Sequence, residues 1–461
     1  MKSSKVLGAL VTLGLAAAVA TPAMALENQF SGSFTSFYDL TNYSDVYGQK
    51  DPVKDAPTEN YFVQRVRLGY TAKASESVKL VTKFELDYRF IGNSSYANGR
   101  NTGGALGADS VNIETKNLYL ELNTTGLNTK IGMQGVDDAF KGTIFSADMA
   151  GFLLSHSYDN ASVSAGFFRW NDSGADFGLG KKVNDMYLLE GKYNINKNVK
   201  VGAAYYYISD DRPKADTVED NPAFNPAAIT GYTSNGDPVY AVGNNPYITT
   251  SYPNNAAKVH SLGLNAEGVF GPLTLNGFAV QQFGDLDATT KAKGYELNVG
   301  ARYNLSDAGT LRSELLYTSG GSNAFYNADG GNEGGGFYDN EMVILGRDKN
   351  QLSIDTAIVF DGANNKQGVV FYSLGYDHTL TPKLSGSVNA GFAWVAKDVA
   401  VTKHDSKYLG TEVNCEVNYK LMPSVTLGAR AGYVVLGDYF KTAAGSPDDP
   451  YDVKLIAKFA F

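Results

Sequence analysis

The chain has 461 residues, one cysteine (Cys415), and a formal charge of −9 from 48 acidic and 39 basic side chains. A single thiol excludes an intramolecular disulfide framework and the usual c-type haem attachment, and the acidic balance argues against nucleic acid as a partner. With 50 Gly, 30 Tyr and 24 Phe but only 43% hydrophobic residues, the composition excludes a bundle of membrane helices, yet it suits a wall in which every apolar residue is followed by a polar one.

The first 25 residues carry Lys2 and Lys5, an apolar run over 6–20, and the small-x-small triplet Ala23-Met24-Ala25. That is the pattern of a cleaved secretory signal peptide, so 1–25 is set apart and 26–461 is expected to be one domain. Removing two lysines leaves 37 basic against 48 acidic residues, a charge of −11.

Residues 28–40 alternate around Phe30, Phe34 and Tyr38, and a polar stretch with two prolines follows. Next comes the clearest hairpin of the N-terminal half. Val66, Leu68 and Tyr70 share one face, with Arg65 and Arg67 on the other; beyond the turn at 74–77, Leu80, Phe84, Leu86 and Tyr88 oppose Lys79, Lys83, Glu85, Asp87 and Arg89. A helix would scatter these residues around its axis, whereas period two sorts them, which predicts strands. Further hairpins are predicted across 124–126, 159–160, 196–198, 270–272, 304–309, 379–383 and 420–424. The stretch 135–151 breaks the alternation and carries Asp137, Asp138 and Asp148. Two long polar stretches, 210–255 and 319–340, are expected as loops; so long a loop in a compact domain is uncommon and usually functional. The chain closes on 451–461, where Tyr451, Val453, Leu455, Ala457, Phe459 and Phe461 alternate with Asp452, Lys454 and Lys458.

Those eleven residues are enough for a tilted strand to cross hydrocarbon, which takes about 9–11 residues. An alternating last strand ending on an aromatic carboxyl terminus resembles the assembly signal of Gram-negative outer-membrane β-barrel proteins, among them the porins; Tyr451, Val453, Leu455, Phe459 and Phe461 carry the likeness. Alternating short turns and long loops fit the two rims of such a barrel. The fold expected is all-β: a closed antiparallel transmembrane barrel of eighteen strands, within a range of sixteen to twenty. Eighteen requires that one or two short pieces, 341–346 or part of 135–151, are not wall. The absence of a large plug before the first strand disfavours an energised transporter.

The function expected is a water-filled channel for passive diffusion of small hydrophilic solutes and ions, not an enzyme, and without a cofactor. The alternative is a barrel that sheathes a partner such as an extracellular electron-transfer cytochrome. The resemblance further implies residence in the outer membrane, contact with its lipid and lipopolysaccharide, insertion by the barrel-assembly machinery, and a homotrimer. Porins of this kind fold one loop inward, and 135–151 is the candidate. Asp137, Asp138 and Asp148 would then face a basic wall of Arg65, Arg67, Lys79, Lys83 and Arg89, with Glu85 and Asp87 among the lining residues; fixed charge at a constriction sets ion selectivity. Ser155-His156-Ser157 reads as polar wall rather than a nucleophile and base. Asp210 with Asp211, and Asp448 and Asp449 with Asp452, are oxygen-rich pairs that suit Ca²⁺ only if the fold gathers them. Aromatics near the strand ends, among them Tyr70, Tyr193, Tyr303, Tyr376 and Tyr433, suit interfacial girdles.

Overall fold

The computed structural model describes residues 26–43, 51–91, 113–172, 182–211, 257–287, 289–327, 336–350, 356–399, 404–441 and 445–461, with short strands at 48–49, 101–102, 217–220, 229–232, 238–240 and 247–250. The expected signal segment and most of 210–255 lie outside the described residues, as do the side chains of Asp87 and Arg89.

Among the described residues eighteen strands form the wall. They are β1 (Glu27–Thr41), β2 (Glu59–Ser75), β3 (Val78–Ile91), β4 (Glu114–Thr124), β5 (Leu127–Asp137) and β6 (Ser146–Ser157). Then come β7 (Ala161–Asp172), β8 (Val183–Asn194), β9 (Val199–Asp210), β10 (Ala257–Phe270), β11 (Leu273–Asp285) and β12 (Tyr295–Asn304). The last third holds β13 (Thr310–Thr318), β14 (Val369–Thr381), β15 (Leu384–Val395), β16 (Tyr408–Met422), β17 (Val425–Leu436) and β18 (Tyr451–Ala460). Each strand pairs antiparallel with its neighbours in sequence, and β18 pairs with β1 from Ser33↔Ala460 to Thr41↔Asp452. The sheet therefore has no free edge, as lipid demands, because an unpaired backbone group in hydrocarbon costs several kcal/mol. Beyond the seam, Gly32 and Phe461 exchange both backbone hydrogen bonds, at 2.9 and 3.0 Å.

Period two decides which side chain meets lipid. On β12 Leu297 and Val299 are exposed outside, while Glu296 and Asn298 are buried inside; on β18 Val453, Leu455 and Phe459 point out and Asp452 and Lys454 point in. An exterior of leucine, valine and aromatic rings belongs in a bilayer. The connections segregate as expected: turns of two to five residues lie at one rim and every longer connection at the other. Residues 341–346 are not wall. They belong to one connection, 319–368, that reaches past the predicted 319–340 and dips into the barrel. The stretch 135–151 is mostly wall, since β5 runs to Asp137 and β6 starts at Ser146; only 138–145 turns inward.

A candidate channel and its inward loops

Eighteen strands enclose a lumen wide enough for water, so what stands inside decides what can pass. The segment 138–145 is tied down by its own first residue. Both Asp138 carboxylate oxygens accept backbone N–H groups: Oδ1 from Phe140 (2.6 Å) and Gly142 (3.0 Å), Oδ2 from Ile144 (2.6 Å) and Phe145 (2.9 Å). Burial pushes this carboxyl up to about 6, against the pull of the four amides. The compact turn then docks on the inner face of β9–β13. The Phe140 ring meets Tyr206 and Phe278 with centroids at 5.9 and 5.5 Å, and Phe145 meets Tyr206 edge-on at 4.9 Å. Thr143 Oγ1 donates to the buried Glu296 at 2.8 Å, and Lys141 pairs with Glu314 at 2.6 Å. Gly263 leaves room on β10 for the Phe140 ring, which an added Cβ would strike.

A second segment, 336–348, closes against the first and continues around the barrel. Phe337 N–H donates to Gly142 O at 2.9 Å, and Gly336 passes so close to the Thr143 carbonyl that no side chain fits there. Glu412 on β16 receives the consecutive amides of Val343 (2.7 Å), Ile344 (2.9 Å) and Leu345 (2.6 Å), and its carboxylate is wholly buried. Tyr338 packs edge-on to Phe371 of β14 at 5.3 Å, Arg312 of β13 pairs with Glu341 at 2.6 Å, and Arg430 of β17 pairs with Asp348 at 2.8 Å. Ile358 and Val359 add a further layer by donating to Ile344 O and Leu345 O at 2.9 and 3.0 Å. An apolar core thus forms inside the cylinder, and among the described residues it takes nothing from β2, β3 or β4.

The inner face of those strands stays polar. Arg65, Arg67 and Lys116 converge on one buried carboxylate, Glu85, with Arg65 at 4.0 Å and Lys116 at 3.4 Å. Lys79 lies 3.7 Å from Glu121, Lys130 sits 5.3 Å over the Tyr119 ring, and half-buried Lys83 has no ion-pair partner among the described residues. The Arg65, Arg67 and Lys79 side chains keep 19, 33 and 30% of their surface open, whereas Tyr206, Glu296, Phe371 and Glu412 beneath the loops keep none. Among the described residues the basic inner face of β2–β4 is thus not covered by the apolar core.

Beneath the inward loops, toward the short turns, the lumen opens into two cavities of about 760 and 730 Å³. Glu341, held by Arg312, lines both. The first is bordered by five cations against three carboxylates, with Lys192 outside any ion pair among the described residues. The second has five carboxylates against two cations, with Asp307 and Glu416 outside any ion pair among the described residues.

Of the residues singled out from sequence, Arg65, Arg67, Lys79, Lys83 and Glu85 come together on the inner wall. The three aspartates go elsewhere. Asp138 holds its own turn, Asp137 is exposed and accepts from Ser146 Oγ at 2.6 Å, and Asp148 pairs with Lys116 at 3.0 Å. Ser155 bonds Ser164 while His156 meets Tyr158 edge-on. Asp448 receives the Ala56 amide, Asp449 receives the Leu436 amide and the Tyr433 hydroxyl, and Asp452 points inward to Lys454. Asp211 accepts the Lys182 amide at 3.4 Å. The anchoring role of Glu412, the inward Lys116 and Lys130, and the docking of 336–348 inside the barrel escaped the sequence reading. The one available signal was the apolar run Met342-Val343-Ile344-Leu345 inside an otherwise polar connection.

These features define a class: a closed eighteen-stranded antiparallel β-barrel of the porin fold. No protein-family model matches the sequence, and no curated protein matches it. Solved structures do. The chain is similar to OccAB4 of Acinetobacter baumannii (TM-score 0.55, 11% identity, covering 96% of this chain and 100% of that one) and to OpdL of Pseudomonas aeruginosa (0.54, 14%, 94% and 99%). OpdQ of the same organism gives 0.53 and 12%, covering 94 and 97%. At these identities the likeness is one of fold.

Proposed function

We propose that the protein is a porin whose water path runs along the cationic wall of β2–β5 and favours small hydrophilic anions. The observation that carries this is the one-sided seating of the inward loops: the apolar core they form takes nothing from β2–β4 among the described residues, and on those strands Arg65, Arg67 and Lys79 keep open surface on the inner face. Fixed positive charge beside a narrow water path raises the local anion concentration and lowers that of cations. The opposed signs of the two inner cavities would orient a dipolar solute as it leaves. A sheath for a cytochrome finds the lumen occupied by the chain's own loops, and no feature of the wall favours it. Export on a cleaved 1–25 segment, insertion by the assembly machinery and a homotrimer belong to the same proposal, carried from the porin likeness. The test is reconstitution in planar bilayers under a salt gradient, together with liposome swelling. Reversal potentials on the anion side and swelling by small charged solutes are expected; a barrel that conducts nothing ends the proposal.

A further inference from the structure

The outer surface carries an arrangement that neither pore nor assembly requires. On six consecutive strands, β6 to β11, the outward residues Phe152, Phe167, Tyr187, Tyr207, His260 and Phe283 are direct register partners. Neighbouring ring centroids lie 5.6, 5.1, 5.8, 4.6 and 4.9 Å apart, so the rings form one continuous shelf. His260 is fixed within it by Tyr205, whose hydroxyl lies 2.6 Å from Nδ1. The row climbs from mid-strand at Phe152 to the long-loop rim at His260 and Phe283, near the start of β10 and the end of β11, where amphipathic rings meet headgroups. Below it, Gln281 apart, the wall of β10–β12 is apolar, with Leu262, Leu264, Leu297 and Val299 between 49 and 63% exposed.

One outward position above the shelf the wall becomes charged. Arg169 and Asp185 neutralise each other through a two-pronged bond of 2.8 and 3.1 Å. The next strands do not balance. Lys258 is the register partner of Asp285, and Asp285 is that of Lys291. Lys291 and Lys293 are exposed while Ala292 between them is buried, so both lysines face outward. Asp285 is engaged by Lys291, which leaves Lys258 and Lys293 without ion-pair partners among the described residues. Lys258 and Lys291 lie two strand spacings apart, about 10 Å, a gap that a phosphate group can bridge.

We infer that Lys258, Lys291 and Lys293, standing over the aromatic shelf, form a docking site for the phosphorylated headgroup of an anionic outer-leaflet lipid. The cations hold the phosphate, the shelf carries the neck of the lipid, and the leucine and valine surface below receives its acyl chains. Charge complementarity selects the occupant: a second copy meeting this patch with its own would set the same excess of lysines over Asp285 against it, like charge facing like. Set against the single carboxylate of Asp285, the three lysines leave an excess of two positive charges, which attracts an anionic headgroup as lipid hydrophobicity alone does not.

The experiment is native mass spectrometry of the detergent-purified full-length barrel, titrated with bisphosphorylated lipid A, with the same lipid dephosphorylated, and with inorganic phosphate. The expected result is retention of the bisphosphorylated lipid with the other two lost, and binding weakened roughly tenfold or more in K258Q/K291Q/K293Q. The arginine triple, K258R/K291R/K293R, should restore binding, and Lys192→Gln in the lumen should leave it unchanged. Equal retention of the dephosphorylated lipid, or no loss in the glutamine triple, overturns the site; retention of inorganic phosphate alone shows an ion site rather than a lipid site and overturns it too. If the glutamine triple lacks the heat-modifiable mobility of a folded barrel, the wild type decides, because headgroup capture must weaken steeply as added salt shortens the Debye length to a few ångströms.

Discussion

Two halves of the inner wall, built from the same alternating strands, serve opposite ends. On β9–β17 the inward positions hold Tyr206, Phe278, Leu316, Phe371 and Val434, and the inward loops bury them as an enclosed core. On β2–β5 the inward positions hold Arg65, Arg67, Lys79, Lys83 and Lys130, and the core stops short of them. In this barrel the contents of the lumen follow the polarity of its wall. Loops collapse where rings offer apolar area, and water stays where cations would lose hydration without enough carboxylates to repay it. Two of the charged exceptions under the loops show how they are accommodated. Glu412 and Glu296 are buried carboxylates, and each receives donors from a loop, so they fasten it instead of repelling it.

The hardest test of this contrast is to detach the core. Asp138→Ala leaves the amides of Phe140, Gly142, Ile144 and Phe145 without acceptors, at about 1–3 kcal/mol for each buried group. The expected outcome is a loosened turn and a several-fold rise in single-channel conductance, with thermal stability of the barrel itself little changed; unaltered conductance would mean that this turn does not bound the water path. Glu412→Ala orphans three amides and should act in the same direction, with a smaller rise, because Tyr338 and the Arg430–Asp348 pair still hold the segment.

Next in size is the bare wall. Arg65 and Arg67 both changed to Glu should move the zero-current potential in a salt gradient toward cations, since the reversal places two negative charges beside Glu85. Lys83→Gln removes one cation and should shift it the same way by less. A reversal potential indifferent to all three would place the path elsewhere.

The smallest effect concerns pH. Because burial holds the Asp138 carboxyl near 6, above its ordinary 3.8, the group's contribution to the folded turn is complete below its unfolded value and is lost as pH rises through about 6. Brief openings in single-channel records should become more frequent between pH 5 and pH 8. The opposite trend would show that the four amides outweigh burial at this site.

Much of the barrel was legible in one dimension, and for a local reason. Which side of a strand meets lipid depends only on residue parity, so Leu297 against Glu296, or Leu455 against Lys454, can be sorted without coordinates. Turn positions and the inward grouping of Arg65, Arg67, Lys79, Lys83 and Glu85 follow from the same rule, whereas the total of eighteen came from the even count that closure demands, which required 341–346 or part of 135–151 not to be wall. The inward loop at 135–151 was legible only as a break in alternation, which is why its true extent, 138–145, emerged from the strand pairing.

What parity cannot supply is where an irregular segment goes once it leaves the wall. Asp138 looked like a channel charge because an aspartate in a polar stretch normally stays in water; its four amide bonds exist only once the turn has closed. Glu412 looked like one lumen carboxylate among several, and its partners stand 67 to 69 residues away in the chain. The row from Phe152 to Phe283 is likewise invisible along the chain, since it exists only as a register among six strands. Sequence determined the cylinder, because a strand's two faces are written into neighbouring residues. Tertiary structure decided which half of it the inward loops fill, because that depends on contacts between segments the chain itself keeps far apart.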